Sequence, residues 1–332
     1  MIRNQILIYE PEISNRAETL RILSSTGSVC TAPETTEELE QAAIHSKKVY
    51  DIIILDLEGH QFLNKMKFNF GRTPTILVSG DPFGQLQSYL SGISTFTNFV
   101  AKSKDGRLMS RDLLATVGKI LYGSIFGVKK YLNWGASNII LHVRDTVTRQ
   151  EYVDAVLDYC TNMGVRKSLL KSVGIFSEEL LMNALFDAPQ DENGKARFAH
   201  QPRTQQVMLP PMEAARMEVA SDGDRLAISV SDPFGAITRR VVLHYLSRCF
   251  EGTDRVSNIL DPGGAGLGLY MCFNSVSSFI VNVSPGVRSE FIGIFDLNLS
   301  PKEHHSRHPS FHYFSTNNTA TQFLLPFCDE AV

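Results

Sequence analysis

Glu179 and Asn183 have the residue types and the spacing for chemistry. They lie in residues 176–186, a run of good helix formers with apolar residues at three- and four-residue spacing. Residues four apart share one face of a helix, so the two side chains project side by side. A carboxylate there can polarise a water, and an amide oxygen is a hard ligand suited to Mg²⁺. Alone, the pair reads as the solvated polar edge of an amphipathic helix. Two glycine segments downstream change that reading. Residues 231–237 (Ser-Asp-Pro-Phe-Gly-Ala-Ile) follow a strand-like run at 225–230. Residues 263–271 (Gly-Gly-Ala-Gly-Leu-Gly-Leu-Tyr-Met) run into a helix-like segment. Glycines before a helix let backbone N–H groups approach a phosphate, and the helix N-terminus adds positive potential.

The order of these three elements resembles the GHKL ATP-binding superfamily of gyrases, heat-shock chaperones and histidine kinases. Glu179 and Asn183 match its N-box, Asp232 and Gly235 its first glycine box, and Gly264, Gly266 and Gly268 its second. The resemblance implies ATP and Mg²⁺ as cofactors. It implies Glu179 as the catalytic base or water-positioning acid, and Asn183 as the Mg²⁺ ligand. Asp232 would accept the adenine amino group, Gly235 would let the base approach, and the second glycine box would form a lid loop over the phosphates. Two features depart from the pattern. Asp187 stands four after Asn183, where many relatives carry a basic residue, and Pro233-Phe234 fills the first glycine box. Lys195 and Arg197, in the polar segment 191–197, are candidates to approach phosphate, although a solvated face explains both.

Residues 1–122 alternate strand-like apolar runs (5–9, 51–56, 75–79, 98–101) and a weaker one (28–32) with helix-like segments (13–25, 36–47, 110–122). Alternating units with fully apolar strands predict a doubly wound five-stranded parallel sheet, with ligand residues at the strands' carboxyl ends. The polar residues there are Glu10, Glu12, Asp56, Ser79 and Lys102. That set resembles a response-regulator receiver domain. The resemblance implies Asp56 as phosphoacceptor, Ser79 and Lys102 as the switch pair, and Glu10, Glu12 and Asp56 as Mg²⁺ ligands. Pro11 replaces one of the family's adjacent acids, and Leu-Glu-Gly-His follows Asp56. A phosphorylated receiver and a pseudo-receiver kept for packing or dimerisation therefore both stand.

The predicted architecture is α/β throughout: a receiver-like unit (1–122), a linker (123–137), a two-layer α/β ATP-binding sandwich (138–299) and a solvated tail (300–332). Within the linker, Trp134 reads as a packing anchor that docks on one unit. The tail holds His304, His305, His308 and His312 without a metal-ligand spacing. The whole chain has 332 residues, 43% apolar and 20% charged, with net charge −3. That describes a globular protein with no basic surface for direct nucleic-acid binding. No apolar run reaches membrane-span length, and no secretory leader is evident. Five cysteines without paired spacing fit a reducing cytoplasm.

No histidine is followed by an acid, as a sensor-kinase phosphoacceptor would be. The order after residue 138 is closer to the anti-sigma-factor serine kinases. The expectation is a bacterial ATP/Mg-binding signalling protein, either a receiver-gated kinase or an anti-sigma-like switch. Its partners would be an upstream histidine kinase and a protein target, with no membrane partner, and the resemblance admits a homodimer. The alternative is a non-catalytic regulator working through protein contacts.

Overall fold

The computed structural model describes residues 3–46, 48–86, 96–103, 106–107, 109–198, 201–250, 265–300, 302–303 and 307–316. Its organising element is one eleven-stranded sheet, ordered β2-β1-β3-β4-β5-β11-β9-β10-β8-β7-β6. The first five strands are β1 (Gln5–Tyr9), β2 (Val29–Thr31), β3 (Ile52–Leu55), β4 (Thr75–Ser79) and β5 (Phe96–Ala101), all parallel. β3 is apolar and buried at all four positions, because both faces of this sheet are covered. One face packs on α1 (Ile13–Ser24) and α4 (Ser110–Tyr122) through Ile6, Ile8, Ile54, Leu113 and Val117. The other packs Leu7, Ile53 and Leu55 beneath α2 (Thr36–Glu40) and α3 (Leu57–Lys65), through Leu39 and Leu63.

The remaining strands are β6 (Ser137–Val143), β7 (Ala215–Ser221), β8 (Arg225–Asp232), β9 (Ser278–Ser284), β10 (Arg288–Asp296) and β11 (Ser310–Ser315). β6, β7, β8, β10 and β9 pair antiparallel in that order. Helices α5 (Arg149–Asn162), α6 (Lys167–Met182), α7 (Arg239–Phe250) and α8 (Ala265–Ser275) accompany them. On α6, Leu169, Val173, Phe176 and Leu180 are buried. This is the apolar face that the helical spacing predicts.

Two expectations are corrected here. The sheet does not stop between the predicted units, and the predicted tail is not wholly solvated. β11 pairs parallel with β9 and antiparallel with β5, closing the gap between them. All six of its residues are buried. The shared core includes Phe83, which lies 5.1 Å from Phe273 and 5.2 Å from Phe311, centroid to centroid. A long-range pairing of this kind leaves no mark in local periodicity. His304 and His305 lie outside the described residues.

The linker docks, as expected, through Ile125, Val128 and Tyr131 against Ala220, Ala227, Ile280 and Ile292. Trp134, expected as the anchor, is instead fully exposed. It sits in a turn between Asn133, whose N–H donates to Asp222, and Gly135 at φ +89°. A polar stripe on α4 completes the joint. Asp112, Thr116 and Lys119 meet Arg225, His312 and Asn282 respectively.

Candidate functional site

Two clusters of predicted site residues occupy opposite halves of the sheet. The first stands at the carboxyl ends of β1 and β3, where the order of the parallel strands reverses and doubly wound sheets form their crevice. Glu10 is buried and its carboxylate pairs with Lys102 Nζ at 2.8 Å. The Lys102 backbone N–H donates to the Ser79 carbonyl, tying β5 to β4. Asp56 caps α3, its Oδ1 accepting from Gly59 N at 2.8 Å. Burial pushes the Asp56 carboxyl up to about 6; Glu10 adds to the rise, while the Gly59 amide and Lys102 oppose it. Ser79 Oγ donates to Asp81 at 2.8 Å.

Glu12 is employed differently. Its carboxylate caps α1, accepting from Asn15 N at 2.8 Å and from Ser14 Oγ. Those bonds hold its pKa below the usual carboxylate range. Glu10, Asp56 and Lys102 are thus brought together, while Glu12 serves the helix terminus. Among the described residues, no group of three or more His, Cys, Asp or Glu side chains is arranged to hold a metal ion. Of the three residues expected to hold Mg²⁺, Glu12 is engaged at the α1 terminus and Glu10 by Lys102, and Asp56 caps α3.

The second cluster is built on α6. The helix carries Glu179 and then widens into a π-helical turn, Asn183–Asp187, closed by Ala188 N–H to the Asn183 carbonyl. π-turns recur at functional sites because the extra residue re-aims side chains. The turn packs against β8, whose last residue is Asp232. Asn183 Oδ1 is buried and has no hydrogen-bond partner among the described residues. A buried acceptor without a partner is costly unless something fills the role.

Glu179 faces α8. A Cβ on Gly268 would lie 2.1 Å from Glu179 Oε2, so a larger residue there would displace the end of that carboxylate side chain. Gly266 and Gly268 sit at the start of α8 rather than in a loop, and Gly264 lies outside the described residues. Burial raises the pKa of Glu179, with Arg203 opposing the rise.

Asp232 is buried, and its Oδ1 accepts from Phe234 N at 2.9 Å and Gly235 N at 3.3 Å. Burial pushes it up to about 6 against those hydrogen bonds. Gly235 has φ +60°, and a Cβ there would lie 2.2 Å from the Ser284 carbonyl oxygen. Its glycine identity therefore has a reason within the protein's own backbone. Phe234 lies with its ring 5.7 Å from the Arg197 guanidinium, and Arg197 pairs with Glu213.

Arg203 was not apparent from the sequence. Its guanidinium pairs with Asp187 at 3.1 Å and approaches Glu179 at 3.7 Å. Sixteen residues and a loop separate it from Asp187, so no local spacing announces it. The one signal was the unbalanced carboxylate at 187.

No protein-family model matches the chain, and the curated proteins yield no match. Among solved structures, the chain is similar to the chemotaxis response regulator CheY4 of Vibrio cholerae. The identity is 18% and the TM-score 0.30, over 36% of this chain and 98% of that one. It is also similar to a chain of the SiaB-SiaC complex from Pseudomonas aeruginosa. There the identity is 12% and the TM-score 0.32, over 55% of this chain and 97% of that one. At these identities and TM-scores, the likeness is one of partial fold alone.

Proposed function

We propose that this chain is a signal-transduction protein that binds ATP with Mg²⁺ and uses the nucleotide as a switch. A receiver-like unit at 1–122 is joined to a GHKL-type unit at 138–299. The single observation that carries the reading is the α6 cluster. Asn183 Oδ1 is a buried, unpartnered hard acceptor, and Glu179 lies four residues before it, its carboxylate packed against Gly268. That donor set suits a hydrated divalent cation and a water aimed at phosphorus. Asp232 would orient the base, its carboxylate already held by two backbone amides.

In this reading Asn183 holds Mg²⁺, which would screen the phosphate charge, while Glu179 positions a water or a protein hydroxyl. The glycines within the start of α8 would present backbone amides to the phosphates. The target is another signalling protein, in a receiver-gated kinase or an anti-sigma-like switch. Among the described residues, no helix is long and apolar enough to cross a membrane.

Asn183→Ala is expected to weaken Mg²⁺-dependent ATP-analogue binding about 10- to 100-fold, the worth of one charge-assisted contact. Isothermal titration of both proteins, with and without Mg²⁺, checks this; equal affinities would remove the site. Glu179→Gln then separates a kinase from a binder, since a kinase keeps its affinity and loses phosphoryl transfer.

A second reading concerns the first half alone, and the Lys102–Glu10 pair and the capping role of Glu12 favour it. Here the receiver-like unit works through protein contacts, without phosphorylation at Asp56. Incubation with a small-molecule phosphodonor should then leave the intact mass unchanged. Gain of one phosphoryl group, abolished in Asp56→Asn, would restore the phosphorylated receiver.

A further inference from the structure

Asp187 adds a second carboxylate to a cluster read as holding a polyphosphate, and burial raises its pKa as it does that of Glu179. Left alone, two carboxylates would repel a nucleoside triphosphate. Arg203 stands between them. Its Nη2 donates to Asp187 Oδ2 at 3.1 Å, a hydrogen-bonded ion pair. Its Nη1 lies 3.7 Å from Glu179 Oε2, within Coulombic range but longer than a hydrogen bond. All three side chains are partly buried, with relative exposures of 25–33% for the Arg203–Asp187 pair and 26% for Glu179.

A guanidinium has five N–H donors in a fixed fork. Among the described residues, the hydrogen bond to Asp187 engages one of its nitrogens. The other face remains directed toward Glu179. Arg203 itself lies in a turn that Gln205 N–H closes on the Pro202 carbonyl. Of the other cations, Arg149, which also acts on Glu179, is committed to Glu178, Arg197 to Glu213, and Lys195 is exposed.

We infer that Arg203 is the residue that reads the terminal phosphate of the nucleotide. Asp187 tethers the guanidinium from one side, and the arriving phosphate replaces Glu179 as its second partner. This rests on the nucleotide reading above, in which Glu179 stands at the reacting phosphate. Arg203, beside Glu179, then stands at that same phosphate. The aspartate at 187 also acquires a purpose: it recruits the positive charge that its own position lacks. Arg203 is a positioning and recognition residue here, and releasing Glu179 from it frees that carboxylate to orient the attacking group.

The test is titration of the full chain with a non-hydrolysable ATP analogue and separately with ADP, in Mg²⁺, using wild type, Arg203→Gln, Arg203→Lys and Asp187→Asn. Arg203→Gln is expected to weaken the triphosphate roughly 10- to 100-fold, as for a lost charge-assisted contact, and to leave ADP within about twofold. Arg203→Lys should recover part of the loss. Asp187→Asn keeps an oxygen that can accept from the guanidinium but loses the charge that tethers it, so it should weaken the triphosphate by less than Arg203→Gln does; a loss as large for ADP would contradict the tether. Equal losses for both nucleotides would make Arg203 a structural prop, and no loss for either would remove it from the site; each overturns the inference and leaves the nucleotide reading standing. Absence of binding to the wild type overturns both, and is distinguishable because no variant is needed to see it.

Discussion

Replacing Asp112 with alanine is expected to cost about 3–5 kcal/mol, the usual penalty for leaving a buried charge without its partner. Asp112 lies on α4, yet its carboxylate accepts from Arg225 of β8 at 2.9 Å and from Ser278 of β9 at 2.5 Å. Side-chain exposures of 3% and 8% put the ion pair out of reach of solvent. Burial alone would raise the Asp112 pKa; Arg225, Ser278 and nearby cations outweigh it and hold the group below the ordinary carboxylate value. Removing the carboxylate strands a guanidinium in that environment. Replacing both partners together, as Asp112→Leu with Arg225→Met, should recover most of the loss, because the desolvation cost disappears with the charges. Urea unfolding checks both variants. The pair joins residues 113 positions apart in the chain. The single variant should therefore shift one shared transition, and two separate transitions with only one moved would contradict the continuous sheet.

Acidification should destabilise the same joint through His312. The ring is fully buried, with Nδ1 3.2 Å from Asn98 Oδ1 and 3.3 Å from Thr116 Oγ1. The Asn98 oxygen is an acceptor, which places the ring hydrogen on Nδ1 and leaves Nε2 unprotonated. Burial drives the His312 pKa down to about 3, with Asp112 resisting the fall and Lys119 adding to it. The unfolded chain takes up a proton near pH 6.5, whereas the folded chain refuses it until about pH 3. Stability from this group is therefore complete above pH 6.5 and declines as pH falls through that window, by up to about 5 kcal/mol in total. Asp112 contributes a loss of the same sign at lower pH, so a variant is needed to separate them. His312→Gln should flatten the melting temperature between pH 6.5 and 4 relative to wild type. Parallel curves would show that the histidine does not report on the joint.

Much of this fold was legible because local pattern and tertiary environment agree. The apolar runs at 52–55 and 76–78 announced strands covered on both faces, and 176–182 announced a helix with one apolar side. The capping of α3 by Asp56 follows from a carboxylate standing at a strand-to-helix turn.

What escaped notice depended on distant partners. Ser310–Ser315 sets three aromatic residues among a histidine and two serines, and the burial of His312 is understood only once Asn98 and Thr116 are placed beside it. Trp134 looks like an anchor by type, yet the chain docks through Ile125, Val128 and Tyr131 around it. Glu12 looks like a metal ligand by its place after β1, but α1 begins immediately and claims its carboxylate. Arg203 belongs to the α6 cluster only because the π-turn at Asn183–Asp187 and the following loop bring it back. Spacing thus located the residues that share one helix face, and missed those that loops deliver.

The measurement that bears most directly on the nucleotide switch is calorimetric titration of the wild-type chain with a non-hydrolysable ATP analogue, with and without Mg²⁺. Saturable one-site binding that tightens when Mg²⁺ is present is the predicted result, with the buried Asn183 oxygen supplying the cation's protein ligand. No heat of binding at millimolar nucleotide, from protein that still melts cooperatively, would contradict it and leave a regulator that works through protein contacts alone.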